Sequence, residues 1–276
     1  MSRYQLDGLT VAITGSTGGL GSAVAEALHA RGANLALLDV EPEALAAQAE
    51  RLGGERVAYP HTVDVRDLGV LEAAMSAAAQ AFGRLDVAIA NAGVEVMSPM
   101  SLMDPAQFER TIDINLNGVW RTFRAALPHV QQQQGFLLGI SSMAAFVHSP
   151  LQAPYTASKA GVWAMCDSIR LELRHLGVGV GSVHPTFFKT PMMDRVLQEP
   201  AGRMLWGEHK SQLWKMVPIE TVVEGIIRAI ETRAPMTVIP RANNGAARAP
   251  GLFRPLIERV GWRRNQIPQT IELARR

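Results

Sequence analysis

Cysteine is all but missing from this sequence. Cys166 stands alone among 276 residues, which excludes an intrachain disulfide and any cysteine-cluster metal site. No apolar run approaches the roughly 18 residues that a membrane-spanning helix needs. The opening stretch, Met1-Ser2-Arg3-Tyr4-Gln5-Leu6-Asp7, lacks the apolar core of a secretory signal, so a cytoplasmic protein is expected. Charge is sparse as well: 19% of residues are charged against 47% hydrophobic, the balance of a well-buried globular chain. The net charge of +2 is uneven, because eight arginines from Arg241 onward face only Glu258 and Glu272. That stretch carries +6 and leaves −4 on the body before it, which is no footprint for nucleic acid. His61, His129, His148, His175 and His184 show no pairing at metal-ligand spacing; no metal is expected, and most of them read as surface or loop residues.

What is present is a regular alternation. Short, nearly continuous apolar runs at Val11-Ala12-Ile13, Leu35 to Leu38, Val87 to Ala90, Phe136 to Ile140 and Val178 to Val183 read as strands covered on both faces. Longer stretches with helical spacing separate them. One starts at Asp104-Pro105-Ala106-Gln107, a capping arrangement, and sets Phe108, Ile112, Leu116, Val119, Trp120, Phe123 and Leu127 along one predicted stripe. The pattern predicts one doubly wound α/β domain, a parallel sheet with helices on both faces, over residues 1–240, followed by a basic extension over 241–276.

The first strand runs straight into Thr14-Gly15-Ser16-Thr17-Gly18-Gly19-Leu20-Gly21, and a helix with Leu20, Val24 and Leu28 on one face follows. Glycines there permit a tight turn and a close approach of backbone to a pyrophosphate, and the helix N-terminus adds free N–H groups. Gly15, Thr17, Gly19, Leu20 and Gly21 are the expected contacts. Asp39 ends the second strand about 20 residues on, where a carboxylate can bind both ribose hydroxyls and repel the extra phosphate of NADP. No Arg or Lys stands at Ser16-Thr17 or directly after Asp39, so NAD is the expected cofactor. The plainer reading of Asp39 is a cap for the helix beginning near Pro42.

Tyr155 and Lys159 are four apart on a predicted helix and therefore share a face. A phenol with an ordinary pKa near 10 is no base at neutral pH; a neighbouring ammonium, with an oxidised nicotinamide, is expected to lower that pKa. Ser141-Ser142 follow the fifth strand, and the Ser142 hydroxyl is the candidate donor to a substrate oxygen. Cys166, on the same helix as Tyr155, reads as packing.

Taken in order, Thr14 to Gly21, Asp64-Val65, Asn91-Ala92-Gly93, Asn115, Ser141-Ser142 and Tyr155-Thr156-Ala157-Ser158-Lys159 resemble the motifs of the short-chain dehydrogenases/reductases, over residues 8 to about 240. The resemblance implies a Rossmann fold and a hydride-transferring oxidoreductase. It implies that Ser142 polarises substrate, Tyr155 transfers the proton, Lys159 also holds the nicotinamide ribose, and Asn115 opens its helix to complete a proton relay. Asp64 and Val65 would contact adenine, Asn91, Ala92 and Gly93 would line the cofactor, and Pro185, Phe188 and Thr190 would meet the nicotinamide. Two departures stand out. Pro185-Thr186 replaces the expected Pro-Gly, and the usual glycine-rich final strand gives way to Met236-Thr237-Val238-Ile239-Pro240 and the arginine-bearing tail. The family forms dimers and tetramers; a homodimer through the helices of Asn115 and Tyr155 is at least as favoured here as a homotetramer.

Between Thr190 and Pro218 stand Met192, Met193, Leu197, Met204, Leu205, Trp206, Leu213, Trp214 and Met216. By resemblance, residues 187–217 form a lid, and this composition suits a lipophilic alcohol or ketone: steroid-like, terpenoid, aromatic or long-chain. The same residues would equally bury a helical insertion. His148 lies between Ser142 and Tyr155 in sequence and is a further candidate to border the substrate. In the tail, Leu252, Phe253, Leu256, Ile257 and Val260 recur at helical spacing, as for a stripe packed on the body or a partner subunit; peripheral membrane contact is the less favoured reading. The expected activity is NAD-dependent alcohol/ketone oxidoreduction; an NADP-linked carbonyl reductase and a non-catalytic dinucleotide-binding regulator are the rivals.

Overall fold

The computed structural model describes residues 4–209, 214–262 and 265–275. Its strands are β1 (Thr10–Thr14), β2 (Asn34–Asp39), β3 (Ala58–Thr62), β4 (Val87–Ala90), β5 (Phe136–Ile140), β6 (Gly179–Pro185) and β7 (Met236–Ile239). They form one sheet in the order β3-β2-β1-β4-β5-β6-β7, every neighbouring pair parallel. Parallel neighbours require crossovers, and helices supply them: α1 (Gly19–His29), α2 (Pro42–Arg51), α3 (Leu68–Phe82), α4 (Pro105–Ile112), α5 (Gly118–Gln132), α6 (Ala153–Leu173), α7 (Pro191–Gln198), α8 (Pro200–Trp206) and α9 (Ile219–Thr232). α10 (Asn244–Arg248), α11 (Pro250–Gly261) and α12 (Gln266–Leu273) follow the last strand.

Alternation along each strand divides the core in two. Val11, Ile13, Leu35, Leu37 and Ile89 pack under α1 and α9 with Val24, Leu28, Ile226 and Ile230. Ala12, Ala36, Ala88 and Ala90 face the other way, under α3, α5 and α6 with Met75, Phe123 and Val162. Alanines on that face let the second layer of helices approach closely. At Gly139 the approach is close, since a Cβ there would stand 3.0 Å from the Cys166 sulfur. Cys166 is thus a packing residue, and burial pushes its thiol up to about 12.

The single helix predicted from Asp104 is instead two. α4 and α5 flank a wide π-type turn at Asp113–Asn117, where the side chain of Asn115 bonds the backbone of Val94. The extra residue in that turn rotates the stripe. Val119 and Phe123 reach the core, whereas Phe108 and Trp120 are exposed at 40% and 47%. The tail forms helices as its stripe predicted. Leu252, Leu256 and Val260 of α11 face solvent, while α12 lies against α8 and Gln266 Nε2 donates to the carbonyls of Met204 and Leu205. Leu213, Arg263, Arg264 and Arg276 lie outside the described residues. None of the described helices is long and apolar enough to cross a membrane.

Candidate active site at the carboxyl ends of the strands

β1 and β4 are neighbours at the point where the strand order reverses, the place where an open parallel sheet leaves a crevice. The glycine loop closes one side of it. Gly15 has φ +65°, and a Cβ there would come within 2.8 Å of Ala92 Cα; at Gly21 a Cβ would lie 2.1 Å from the Gly15 carbonyl oxygen. Neither position admits a side chain. Asn91 locks this packing: its Nδ2 donates to the carbonyls of Thr14 and Gly15 at 3.0 Å, and its backbone N–H donates to Thr14 Oγ1 at 3.1 Å.

Asp39 does not cap α2, whose N-cap is Glu41. Its Oδ2 accepts from the backbone N–H and hydroxyl of Thr17, at 2.9 and 2.6 Å, and its Oδ1 from the Val40 N–H. Asp64 is held by Arg66 at 2.6 Å, and that hydrogen bond keeps its carboxyl below the usual range. The cleft of about 600 Å³ runs past Gly15, Thr17, Gly19, Leu20, Gly21, Asp39, Asp64, Val65, Asn91, Ala92 and Gly93 to Tyr155, Lys159, Pro185, Phe188 and Thr190. It opens on the N-terminus of α1, with Arg66, Arg110 and Arg195 also on its walls. Size, a helix N-terminus, three cations and an acid at the end of β2 fit a dinucleotide.

At the inner end, α6 carries Tyr155 and Lys159 side by side, the ammonium 5.6 Å from the phenol ring centre. Lys159 Nζ donates to the Ile140 carbonyl at 2.8 Å, and Ser141 Oγ donates to the Lys159 carbonyl at 2.7 Å. Ser141 is therefore occupied by backbone. Ser142 Oγ accepts from Ala144 N–H at 3.1 Å, and its own proton is not committed to the backbone. Asn115 is fully used: Oδ1 accepts from Val94 N–H at 2.8 Å, and Nδ2 donates to the Val94 carbonyl and to Ser158 Oγ.

The chain's own groups oppose the ionisation that Tyr155 needs as a base. Burial first, and the Glu95 carboxylate second, raise the Tyr155 phenol above its ordinary value, opposed only by the Ser142 hydrogen bond. Lys159 is itself lowered to about 8 by burial, with Glu95 opposing. Among the chain's own groups the Lys159 ammonium, which donates to the Ile140 carbonyl, is not one of the influences lowering the phenol, so desolvation outweighs the charge pairing of the four-residue spacing.

Glu95 was not foreseen from sequence. It follows Asn91-Ala92-Gly93 in the loop that Asn115 clamps, and burial lifts its carboxyl to about 7 against the attraction of Lys159. Gln152 Nε2 donates to Glu95 Oε1, and the Ser149 hydroxyl donates to Gln152 Oε1. Nothing in local spacing marks this trio, which is assembled by the loop and the start of α6.

These residues border a second cavity of about 170 Å³, otherwise walled by Met143, Val147, Phe187, Met192, Met193, Trp206, Trp214, Ile257 and Trp262. Met192, Met193, Trp206 and Trp214 come from the segment predicted to be apolar. Ile257 and Trp262 come from the tail, whose place in this wall the sequence did not show. Thr186, standing where a glycine was expected, continues the strand by donating its N–H to Ile239 and also lines the cavity. His148 meets Arg254 of α11 at 3.1 Å, outside the cavity lining. His184, one of five histidines most of which were expected at the surface or in loops, is fully buried on β6 with Nε2 2.9 Å from Ser182 Oγ, and burial lowers it to about 4.

A family model described as short chain dehydrogenase matches residues 9–201. D-threitol dehydrogenase of Mycolicibacterium smegmatis is 31% identical over 204 residues, 73% of this chain and 78% of that one. 3beta-hydroxysteroid dehydrogenase 1 of Eggerthella lenta is 33% identical over 204 residues, 72% of this chain and 77% of its own. Among solved structures, a short-chain type dehydrogenase/reductase from Mycobacterium marinum superposes with TM-score 0.76 at 28% identity, covering 85% of this chain and 95% of that one.

Proposed function

Because this chain belongs to the short-chain dehydrogenase family of oxidoreductases, we propose that it interconverts a secondary alcohol and its ketone with NAD, using Tyr155 as the proton-transferring group. One observation carries the reading: Tyr155 lines both the dinucleotide cleft and the smaller, mostly apolar cavity, so its phenol stands where the two meet. A nicotinamide dinucleotide bound in the cleft supplies the hydride acceptor or donor and, when oxidised, a positive charge beside the phenol.

The chain's own residues do the rest. Ser142, with its oxygen satisfied by Ala144 N–H, donates its proton to the substrate oxygen and places the carbinol against Tyr155. Tyr155 accepts the hydroxyl proton during oxidation and returns it during reduction. Lys159 spends one donor on Ile140 and has others for ribose hydroxyls. Asn115 acts by position, fixing the Val94–Glu95 loop and the wide turn through which the relay to solvent would pass.

NAD is preferred over NADP for two reasons. Asp39 would repel a 2′-phosphate, and Arg66, a cation of the cleft wall that could offset it, is already paired with Asp64. The substrate is a lipophilic alcohol or ketone. The cavity is about the size of a single ring, which favours a cyclic or aromatic alcohol over a fused steroid. The curated relatives are named for a polyol and a steroid, so the family's pocket varies widely. A homodimer or homotetramer is the proposed assembly. The test is reduced-cofactor absorbance on mixing the protein with NAD⁺ or NADP⁺ and a panel of cyclic secondary alcohols. Turnover with NAD⁺ that disappears in Tyr155→Phe is expected; equal turnover in that variant would refute the assignment.

A further inference from the structure

The wall of the small cavity beside Tyr155 differs in kind from the rest of its lining. The lining is mostly apolar, with eight methionine, phenylalanine and tryptophan residues, but it also carries Ser149, Gln152 and Glu95 in a directed chain of hydrogen bonds. The Ser149 hydroxyl donates to the Gln152 carbonyl oxygen, and the Gln152 amide donates to one carboxylate oxygen of Glu95. Each donor thus points towards Glu95. Gln152 is only 4% exposed, so the chain is built into the protein rather than laid over it. Among the described residues no donor reaches the second Glu95 oxygen, and the carboxyl lines the cavity. A carboxylate withdrawn from water needs partners on its remaining lone pairs, and Glu95 borders the cavity in which substrate would lie.

Resting on the dehydrogenase reading above, we propose that Glu95, held by Gln152, selects substrates that carry a second hydroxyl near the reacting carbon, that is, diols or hydroxyketones on an otherwise apolar frame. The second hydroxyl donates to the free carboxylate oxygen while the first lies between Ser142 and Tyr155. The proximity of Glu95 to the reacting group is independently visible in its electrostatic hold on both Tyr155 and Lys159. Mostly apolar walls and the Glu95 acceptor together describe an amphipathic ligand of about one ring; a purely apolar alcohol would leave the carboxylate unpaired.

Cyclohexane-1,2-diol and cyclohexanol with NAD⁺ are the probes, measured on wild type, Glu95→Gln and Glu95→Leu. The wild-type ratio of kcat/KM for diol over cyclohexanol is expected to be about tenfold or more, the size of one hydrogen bond to a charged group. It should shrink to about one in Glu95→Leu and be partly kept in Glu95→Gln, which retains an acceptor. Quenching of Trp206, Trp214 and Trp262, all in the cavity wall, reads binding without turnover. Glu95-dependent quenching by the diol with no reduced cofactor supports the polar wall and sinks the dehydrogenase reading. Turnover of both probes with the same ratio in all three proteins overturns the polar wall and leaves the dehydrogenase reading standing. Neither quenching nor turnover overturns the proposal.

Discussion

Lys159 and Ile140 are tied across the site by a 2.8 Å bond from ammonium to carbonyl, and Ser141 returns the tie by donating to the Lys159 carbonyl at 2.7 Å. The end of β5 and the start of α6 are thereby clasped at two points, which fixes Ser142 against Tyr155. Lys159→Met keeps the length of the side chain and removes its donors. Its kcat/KM is expected to fall by about 10²- to 10⁴-fold, the range of an acid–base contribution. Global stability at neutral pH should change little, because a buried ammonium lowered to about 8 is itself costly. Steady-state kinetics and thermal melts on the same preparation separate the two effects. A large melting loss with proportionate activity loss would make Lys159 a structural residue.

Tyr155 gives a sharper pH signature. Burial and Glu95 both hold the phenol protonated, so oxidation of alcohol, which needs the phenolate, should accelerate from pH 7 towards pH 10. Glu95→Gln deletes one of the two raising influences and leaves burial. The alkaline limb of kcat/KM should therefore move to lower pH in that variant. A limb that stays in place would show that the carboxylate does not act on the phenol. Tyr155→Phe should lose about 10²- to 10⁴-fold in turnover while NADH still binds.

The parts of the molecule legible in the sequence were those encoded locally. Glycine spacing at Gly15 to Gly21 dictates its own tight turn, alternation in Val11-Ala12-Ile13 names its two faces, and Tyr155 with Lys159 share a helix face by arithmetic. Glu95, Gln152 and Ser149 were not legible, because they belong to two segments about 57 residues apart that meet only once the sheet is assembled. The wide turn at Asn115 could be expected only from the family resemblance, not from the local pattern. Its amide bonds Val94 from 21 residues away, and that tertiary bond overrides a helical pattern with no local breaker. Spacing shows which charges lie close to the phenol but not how completely water is excluded from it, so its burial was not legible either. Ile257 and Trp262 reach the cavity through a tail whose stripe, read alone, suggested packing on the body or a partner subunit, or membrane contact, but no place in a substrate wall.

Asp39 is committed to Thr17 through two hydrogen bonds, so it both shapes the glycine loop and presents its charge to the cleft. Asp39→Ala should weaken NAD⁺ binding by loosening Thr17 and should strengthen NADP⁺ binding by removing the repulsion. The NAD⁺/NADP⁺ ratio of kcat/KM is expected to drop by about 100-fold, roughly 2.7 kcal/mol. Comparison of both cofactors at fixed alcohol concentration measures it. A wild-type protein that already prefers NADP⁺ would refute the role given to this carboxylate.

Glu95 also links stability to pH, and the sign follows from its raised pKa. In the unfolded chain the carboxyl ionises at its ordinary 4.5, but in the folded protein only at about 7. Between those values the folded state binds the extra proton, so the contribution of Glu95 to stability is fully present below about pH 4.5 and is lost as pH rises through 7. The loss amounts to about 3 kcal/mol at the upper end, from 1.36 kcal/mol per pH unit. Glu95→Gln carries no such charge. Relative to wild type its melting temperature should rise by several degrees at pH 8.5 and show no comparable gain at pH 4.5. Differential scanning calorimetry at the two pH values decides it: an equal shift at both would mean that the carboxyl is solvated in the folded protein, and the polar wall would then lack the desolvated acceptor on which its selectivity depends.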